Sequence, residues 1–261
     1  MNELAARLRE RWDLVADGSF PLSYRYVEPV RRADGSAAVL RLGPAGDRDF
    51  SLELDAAVWF GGRGAPRVLA IDRELGAVLL ERVLPGTQLD GEPEEVAVPA
   101  TAAVMRALWR APAGACPFPS VREWGRSLEP GSRAAGVFFE LCDSMDEPVV
   151  LHGDLHHFNV LRSDAHGWLA IDAKGVVGEP AYETGALLRN PKPALLGLPD
   201  PARTLRRRAD ALSEALGLDP ARVYGWAYAQ AVLSAAWSVE DGEDPAFALA
   251  VAELWEPFSG R

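Results

Sequence analysis

Lysine is nearly absent from this chain: 25 arginines stand beside two lysines, Lys174 and Lys192, in 261 residues. Each lysine position therefore carries more information than usual. Cysteine is equally scarce. Cys116 and Cys142 have neither the spacing of a metal site nor the number for a disulfide framework, which predicts a reduced, cytoplasmic setting. No apolar run is long enough for a bilayer: the longest, "WAYAQAVLSAAW" from Trp226 to Trp237, fits a core helix. No secretory leader is expected, because "MNELAARLRERWDL" reads as an amphipathic helix with Leu4, Leu8 and Trp12 in one stripe. Positive charge is also in deficit. A net charge of −11 argues against a nucleic-acid partner, since neutralising phosphates needs a concentrated basic surface. The same charge suits solubility, and it would steer a cationic small molecule inward. The expectation is a protein with no nucleic-acid or membrane partner, compatible with a monomer.

What is present is an ordinary globular composition, 48% apolar and 25% charged, long enough for one large domain or two lobes. From Leu22 to Arg82, "LSYRYVEPV", "SAAVLRL", "RVLAI" and "GAVLLERV" read as strands bounded by turn signals such as "ADGS" and "GGRGAP". "DFSLELDAAVWF" reads as one inserted helix, with Leu52, Ala56 and Trp59 on one side. After a linker and helix start between Pro85 and Pro99, helices are expected near 101–111, 133–145, 182–189, 201–216, 220–240 and 245–256. Asp219-Pro220 and Asp244-Pro245 are N-cap signals for the last two. The reading is α+β, with a β-rich lobe over 1–83 and a mainly helical lobe over 84–261. Between the helices, "PVVLHG", "NVLRS" and "WLAIDA" read as three short strands, with "SDAHG" as a hairpin turn.

That exception holds all four histidines. His152, His156 and His157 allow a zinc-site reading, and with it a metal-dependent hydrolase. Gly153 and the strand-like flanks oppose the helix on which two histidines four apart would share a metal, and no glutamate completes an HExxH pattern. The oxygen ligands point elsewhere. Asp154 precedes Asn159 by the spacing of a kinase catalytic loop, and Asp172 ends a later strand, where a second metal-binding carboxylate is expected. Phosphoryl transfer to a hydroxyl needs a carboxylate to orient that hydroxyl and take its proton. It also needs Mg²⁺, which prefers oxygen ligands, between the phosphates.

"HGDLHHFNVL" and "AIDAKGVVGEPAYETGALLRNP" resemble the aminoglycoside phosphotransferases, most closely the streptomycin 6-kinase branch, also grouped as aminoglycoside and hydroxyurea resistance kinases. "FGGRGAPRVLAID", "GAVLLERVLPGTQL" and "LSAAWSVEDG" extend the resemblance over most of the chain. It implies a two-lobed protein-kinase-like fold and ATP- and Mg²⁺-dependent phosphorylation of an aminoglycoside hydroxyl. It makes Asp154 the catalytic base, and Asn159 and Asp172 the metal ligands. Glu53 is implied to pair with the nucleotide-binding residue of the third strand, and Glu81, Arg82 and Val83 to form the adenine hinge.

Two positions depart from the pattern. Arg41 stands where that strand should carry lysine, and "SYRYVEPV" has no glycine where a loop should cover the phosphates. These keep open a nucleotide-binding protein with little activity; separately, kinases of other small polyols or amino alcohols share this catalytic loop, which keeps such an acceptor open. Lys174 could reach a phosphate or the acceptor, or form a structural ion pair. Acceptor-binding carboxylates are sought in "FFELCDSMDE" and "WSVEDGEDP"; because the latter follows the branch's pattern, Glu240 and Asp241 are the preferred pair.

Overall fold

The computed structural model describes residues 1–20 and 25–258. In chain order the elements begin with α1 (Asn2–Arg11), β1 (Leu14–Ala16), β2 (Tyr26–Arg32), β3 (Ala37–Leu42), α2 (Arg48–Phe60), β4 (Val68–Asp72), β5 (Ala77–Glu81) and β6 (Pro85–Gln88). They continue with α3 (Glu94–Leu108), α4 (Val121–Trp124), α5 (Arg133–Asp143), β7 (Val149–Leu151), β8 (Val160–Ser163), β9 (Gly167–Ala170) and β10 (Val176–Gly178). Helices α6 (Pro180–Leu188), α7 (Pro201–Leu216), α8 (Pro220–Glu240) and α9 (Ala246–Trp255) close the described chain. Contacts divide it into two units: Met1–Thr87 together with Leu161–Lys174, and Gln88–Val160 together with the chain from Gly175 onward.

Alternation along β3 organises the first unit. Ala38, Leu40 and Leu42 face one side of an antiparallel sheet of order β1-β2-β3-β5-β4 and meet Leu8, Val30 and Leu79 there. With a side-chain period of two, Arg41 points to the opposite face, beside Val78 on β5. That face is covered by α2, whose Phe50 and Leu54 pack on Val78. The helix starts at Asp47, whose carboxylate accepts the N–H of Phe50 at 2.8 Å. Its buried stripe is Phe50, Glu53, Leu54, Ala56 and Phe60. This corrects the expected stripe of Leu52, Ala56 and Trp59: the larger ring of Phe50 takes the sheet-facing position and turns Glu53 inward with it. Of the strand expected from Leu22, the observed part begins at Tyr26; Leu22, Ser23 and Tyr24 lie outside the described residues, and Tyr26–Val30 of the glycine-free stretch belong to β2. Strands β8 and β9 form the hairpin expected at "SDAHG", in a small sheet of order β6-β8-β9.

The second unit is helical around Trp226, which is fully buried and meets Phe138 and Tyr182 edge-on at 5.1 and 5.0 Å. Glu179, at the start of α6, accepts from Arg222 Nε at 2.7 Å and Nη2 at 2.6 Å, and from the indole N–H of Trp226. This anchors α8 to α6. Helix α3 begins at Glu94 rather than near 101 and carries Pro99 inside it. Burial of Val98, Ala102 and Met105 outweighs the one backbone hydrogen bond that proline forfeits. Helix α8 is capped by Asp219, which accepts the N–H of Ala221 at 2.9 Å. Among the described residues, no helix is long and apolar enough to cross a membrane.

Candidate active site

In the first unit, three cationic side chains converge on one buried carboxylate. Glu53 Oε2 accepts from Arg41 Nη2 at 2.7 Å, and Oε1 from Lys174 Nζ at 2.9 Å and Arg25 Nη2 at 3.4 Å. Burial pushes the Glu53 pKa up, but the charges of Arg41, Lys174 and Arg25 outweigh it, and the net shift is downward. Arg41 also reaches Asp172, Nη1 to Oδ1 at 3.1 Å. Strand β9 ends at Ala170, so Asp172 does not end a strand as expected; it lies two residues beyond, at φ 62°. For a residue with a Cβ this is an uncommon conformation, and it turns the Asp172 carboxylate out of the strand's alternation. The Arg41–Glu53 pairing expected from the sequence is present. Arg25 was missed, because an arginine in a strand-like run carries no signal of its own.

The hinge expectation falls on the end of β5. The Glu81 N–H goes to the Arg67 carbonyl at 2.9 Å and the Arg82 N–H to that of Ala37 at 3.3 Å. The Val83 N–H makes no hydrogen bond among the described residues. The Glu81 side chain pairs with Arg67 Nε at 3.0 Å, which holds its carboxyl below the usual range. Arg82 pairs with Asp17 at 3.1 Å and lies over the ring of Phe20.

In the second unit, the segment after β7 folds back on itself. The Asn159 amide nitrogen donates to the Asp154 carbonyl at 3.0 Å, which is the structural reason for four intervening residues: the side chain closes the loop it ends. His152 Nδ1 accepts the Asp154 N–H at 3.2 Å. The Asp154 carboxylate is met by Arg189 Nη2 at 3.0 Å on Oδ1 and by His156 Nε2 at 3.6 Å on Oδ2. Burial raises its pKa, and the His156 ring and Arg189 guanidinium more than reverse this, holding it well below the usual carboxylate range.

Beneath the loop, Glu183 on α6 accepts the N–H of His152 at 2.6 Å and of Gly153 at 2.9 Å. Burial pushes its pKa up to about 7 despite these bonds. Sequence reasoning missed Glu183 and Arg189. The available signal was a lone carboxylate in the apolar run "AYETGALL", which has to be either exposed or bonded.

Gly153 is required by geometry twice over: its φ is +86°, and a Cβ there would lie 2.6 Å from the ring of Trp124. Gly153→Ala is expected to cost about 2 kcal/mol and lower Tm by roughly 5 °C, read by thermal unfolding, with turnover falling as well.

The histidines do not form a metal centre. Among the described residues, no group of three or more His, Cys, Asp or Glu side chains could hold a metal ion. His157 is buried, and burial, followed by the charge of Arg208, lowers its pKa to about 3. His156 is partly buried against Asp154.

The pattern of the aminoglycoside/hydroxyurea antibiotic resistance kinase family matches residues 11–242. The chain belongs to this family. It is therefore a phosphotransferase with a hydroxyl group as acceptor. Streptomycin 6-kinase of Streptomyces griseus is 33% identical over 256 residues, covering 92% of this chain and 83% of that protein. Streptomycin 3''-kinase of Klebsiella pneumoniae is 32% identical over 255 residues, covering 89% and 91%. The kinase family has a protein-kinase-like fold, and the crystal structure of aminoglycoside phosphotransferase APH(4)-Ia superposes with a TM-score of 0.66 at 16% identity over 100% of both chains. Membership answers the alternative of a metal-dependent hydrolase.

The expected acceptor-binding carboxylates of this kinase sit at the end of α8. Glu240 and Asp241 are exposed and make no ion pair among the described residues. Asp244 accepts the N–H of Ala246 at 2.9 Å and is thereby committed to the start of α9. In the other acidic segment, Asp143 pairs with Arg122. Lys174, for which a phosphate contact, an acceptor contact and an ion pair were all open, pairs with Glu53.

Mg²⁺ chemistry calls for hard oxygen donors. Asp172 offers a half-exposed carboxylate, and Asn159, its nitrogen turned to Asp154, presents its amide oxygen. Each residue fits that role.

Proposed function

We propose that this protein transfers the γ-phosphate of ATP to a hydroxyl of a streptomycin-like aminoglycoside, at position 6 in the first instance. The observation that carries the reading is Asp154: an ionised carboxylate clamped by Arg189, in a loop closed by Asn159 and seated on Glu183. Asp154 orients the attacking hydroxyl and accepts its proton. A carboxylate held this acidic is a weak base, so proton transfer comes late and orientation supplies most of its effect. Asn159 and Asp172 are each suited to ligate Mg²⁺, which would neutralise charge on the phosphates. Arg41 and Glu53 hold the nucleotide-binding side of the sheet. The Val83 N–H and Glu81 carbonyl bond adenine, with Arg82 flanking them. Glu240 and Asp241 bind the ammonium or guanidinium groups of the acceptor, a cationic polyol suited to a chain of net charge −11. The site of action is the cytoplasm, where ATP is available.

The test is an ATP-consumption screen with Mg²⁺ over aminoglycosides, aminocyclitols, amino alcohols and hydroxyurea. Streptomycin is the expected best acceptor, with product mapped by NMR to the 6-phosphate. Phosphorylation at 3'' would move the assignment to the other streptomycin hydroxyl. Turnover of amino alcohols but not aminoglycosides would overturn the substrate class.

The pH dependence follows from Asp154. With its pKa depressed, it remains ionised down to well below pH 4. Its ion pair contributes stability that is fully present above the ordinary carboxylate pKa and is lost only as pH falls through the folded value. A kcat profile without an acidic limb between pH 5 and 8 is expected; a limb near pH 6 abolished in Asp154→Asn would contradict it.

A further inference from the structure

The departure at Arg41 raises the question of which cation meets the nucleotide phosphates. Arg41 is poorly placed for it. Its side chain is only 11% exposed, and its two terminal nitrogens are already divided between Glu53 and Asp172, at 2.7 and 3.1 Å. Held this way, the guanidinium is a strut between two carboxylates. Its planar fork has little freedom to turn toward a third anion without abandoning one of them.

Lys174 has the opposite character. Its ammonium touches the other oxygen of the same carboxylate, Glu53 Oε1, at 2.9 Å, yet the side chain is 44% exposed. An ammonium has three donors, and Glu53 uses one. Glu53 thus fixes the charge of Lys174 in place while taking only one of its donors, on a side chain that stays partly open to solvent. The chain places this lysine through the positive-φ residue two positions earlier, so that Asp172 reaches Arg41 while Lys174 reaches Glu53. A compact ammonium with rotatable donors is a good point-charge ligand for phosphate.

We infer that Lys174, and not Arg41, supplies the cationic contact to the nucleotide phosphates, with Arg41 acting as the strut that fixes Glu53 and Asp172. The strand lysine has in effect been moved to the segment after β9, and Glu53 serves both arrangements. This rests on the ATP-kinase reading above.

The scarcity of lysine makes the test direct, because Lys174 and Lys192 are the only two. An acyl phosphate of ATP transfers its acyl group to an amine beside the phosphates: the lysine nitrogen attacks the carbonyl carbon and loses a proton to solvent. The carbonyl–oxygen bond to phosphate breaks and ATP leaves with the electron pair. Mass spectrometry of the full-length protein after such labelling is expected to find the acyl group on Lys174, suppressed by excess ATP. Calorimetry on the same protein is expected to show Lys174→Met weakening AMP-PNP at least about tenfold, with adenosine affinity unchanged and Lys174→Arg recovering most of the loss. A tenfold loss corresponds to about 1.4 kcal/mol.

If wild type binds ATP but Lys174 carries no ATP-suppressible label, Lys174 is not the phosphate contact. A fall in adenosine and AMP-PNP affinity together, in step with a fall in Tm, identifies a purely structural ion pair and overturns the inference by a second route. Absence of any ATP binding by wild type overturns the kinase reading itself, and this inference with it.

Discussion

Asp154→Ala is expected to lower kcat about 10³-fold or more, with AMP-PNP affinity within about twofold of wild type. The size follows from what the side chain does in the proposed reaction. It removes both the acceptor that aligns the substrate hydroxyl and the eventual proton acceptor, and the loop offers no second carboxylate in its place. The same truncation leaves Arg189 without its partner. That cost to the ground state falls on stability, because the Arg189 side chain is 19% exposed and can recover some hydration. The loop itself should stand, since the Asn159 bond goes to the Asp154 backbone carbonyl, which alanine retains. Steady-state turnover with calorimetric nucleotide binding separates these effects. Near-normal kcat in Asp154→Ala would show that another group carries the base function. A loss of nucleotide affinity in proportion to kcat would point to collapse of the loop.

The largest effect on stability is expected from Glu183→Ala. Two backbone N–H groups, those of fully buried His152 and its neighbour Gly153, lose their acceptor inside the core of the second unit. At about 1–3 kcal/mol for each buried unsatisfied donor, the expected loss is about 4 kcal/mol, with turnover falling as the loop loses its seat. Urea unfolding measures it; a loss below about 1 kcal/mol would mean water replaces the carboxylate.

The same residue gives a pH signature of opposite sign to that of Asp154. Its folded pKa, pushed up to about 7, exceeds the ordinary glutamate value, so the folded chain holds a proton that the unfolded chain has released across that interval. Stability contributed by this group is therefore greatest at the acidic end and falls as pH rises from about 4.5 to 7, by on the order of 3 kcal/mol. Glu183→Gln should flatten that slope. An unchanged slope would show that the carboxyl is ionised throughout.

Asp154 and Asn159 were legible because their spacing has a local cause: the asparagine side chain bonds the aspartate's own carbonyl, so the requirement is written into adjacent positions. Gly153 was visible as an obstacle to a helix, but the ring it must make room for belongs to Trp124, nearly thirty positions earlier, and no local pattern connects them. Glu183 lies on the ordinary-looking helix α6 and Arg189 follows its last residue, and their partners are in a loop more than thirty residues away. Long-range hydrogen bonds leave no periodicity, and so no trace in a single sequence.

By itself, then, the sequence determined the class of fold, the strand-and-helix content, the phosphoryl-transfer spacing and the family to which the chain belongs. These follow from local propensity, from period-two and helical patterning, and from short motifs whose members are near neighbours. The tertiary structure alone decided what surrounds each charge. It turned Glu53 into the core beside Phe50, placed Arg41 across Glu53 and Asp172, and brought Lys174 to the remaining oxygen across 121 positions of chain. The physical reason is that a buried carboxylate must find its counter-charges wherever packing brings them, and packing is a property of the whole unit rather than of any segment.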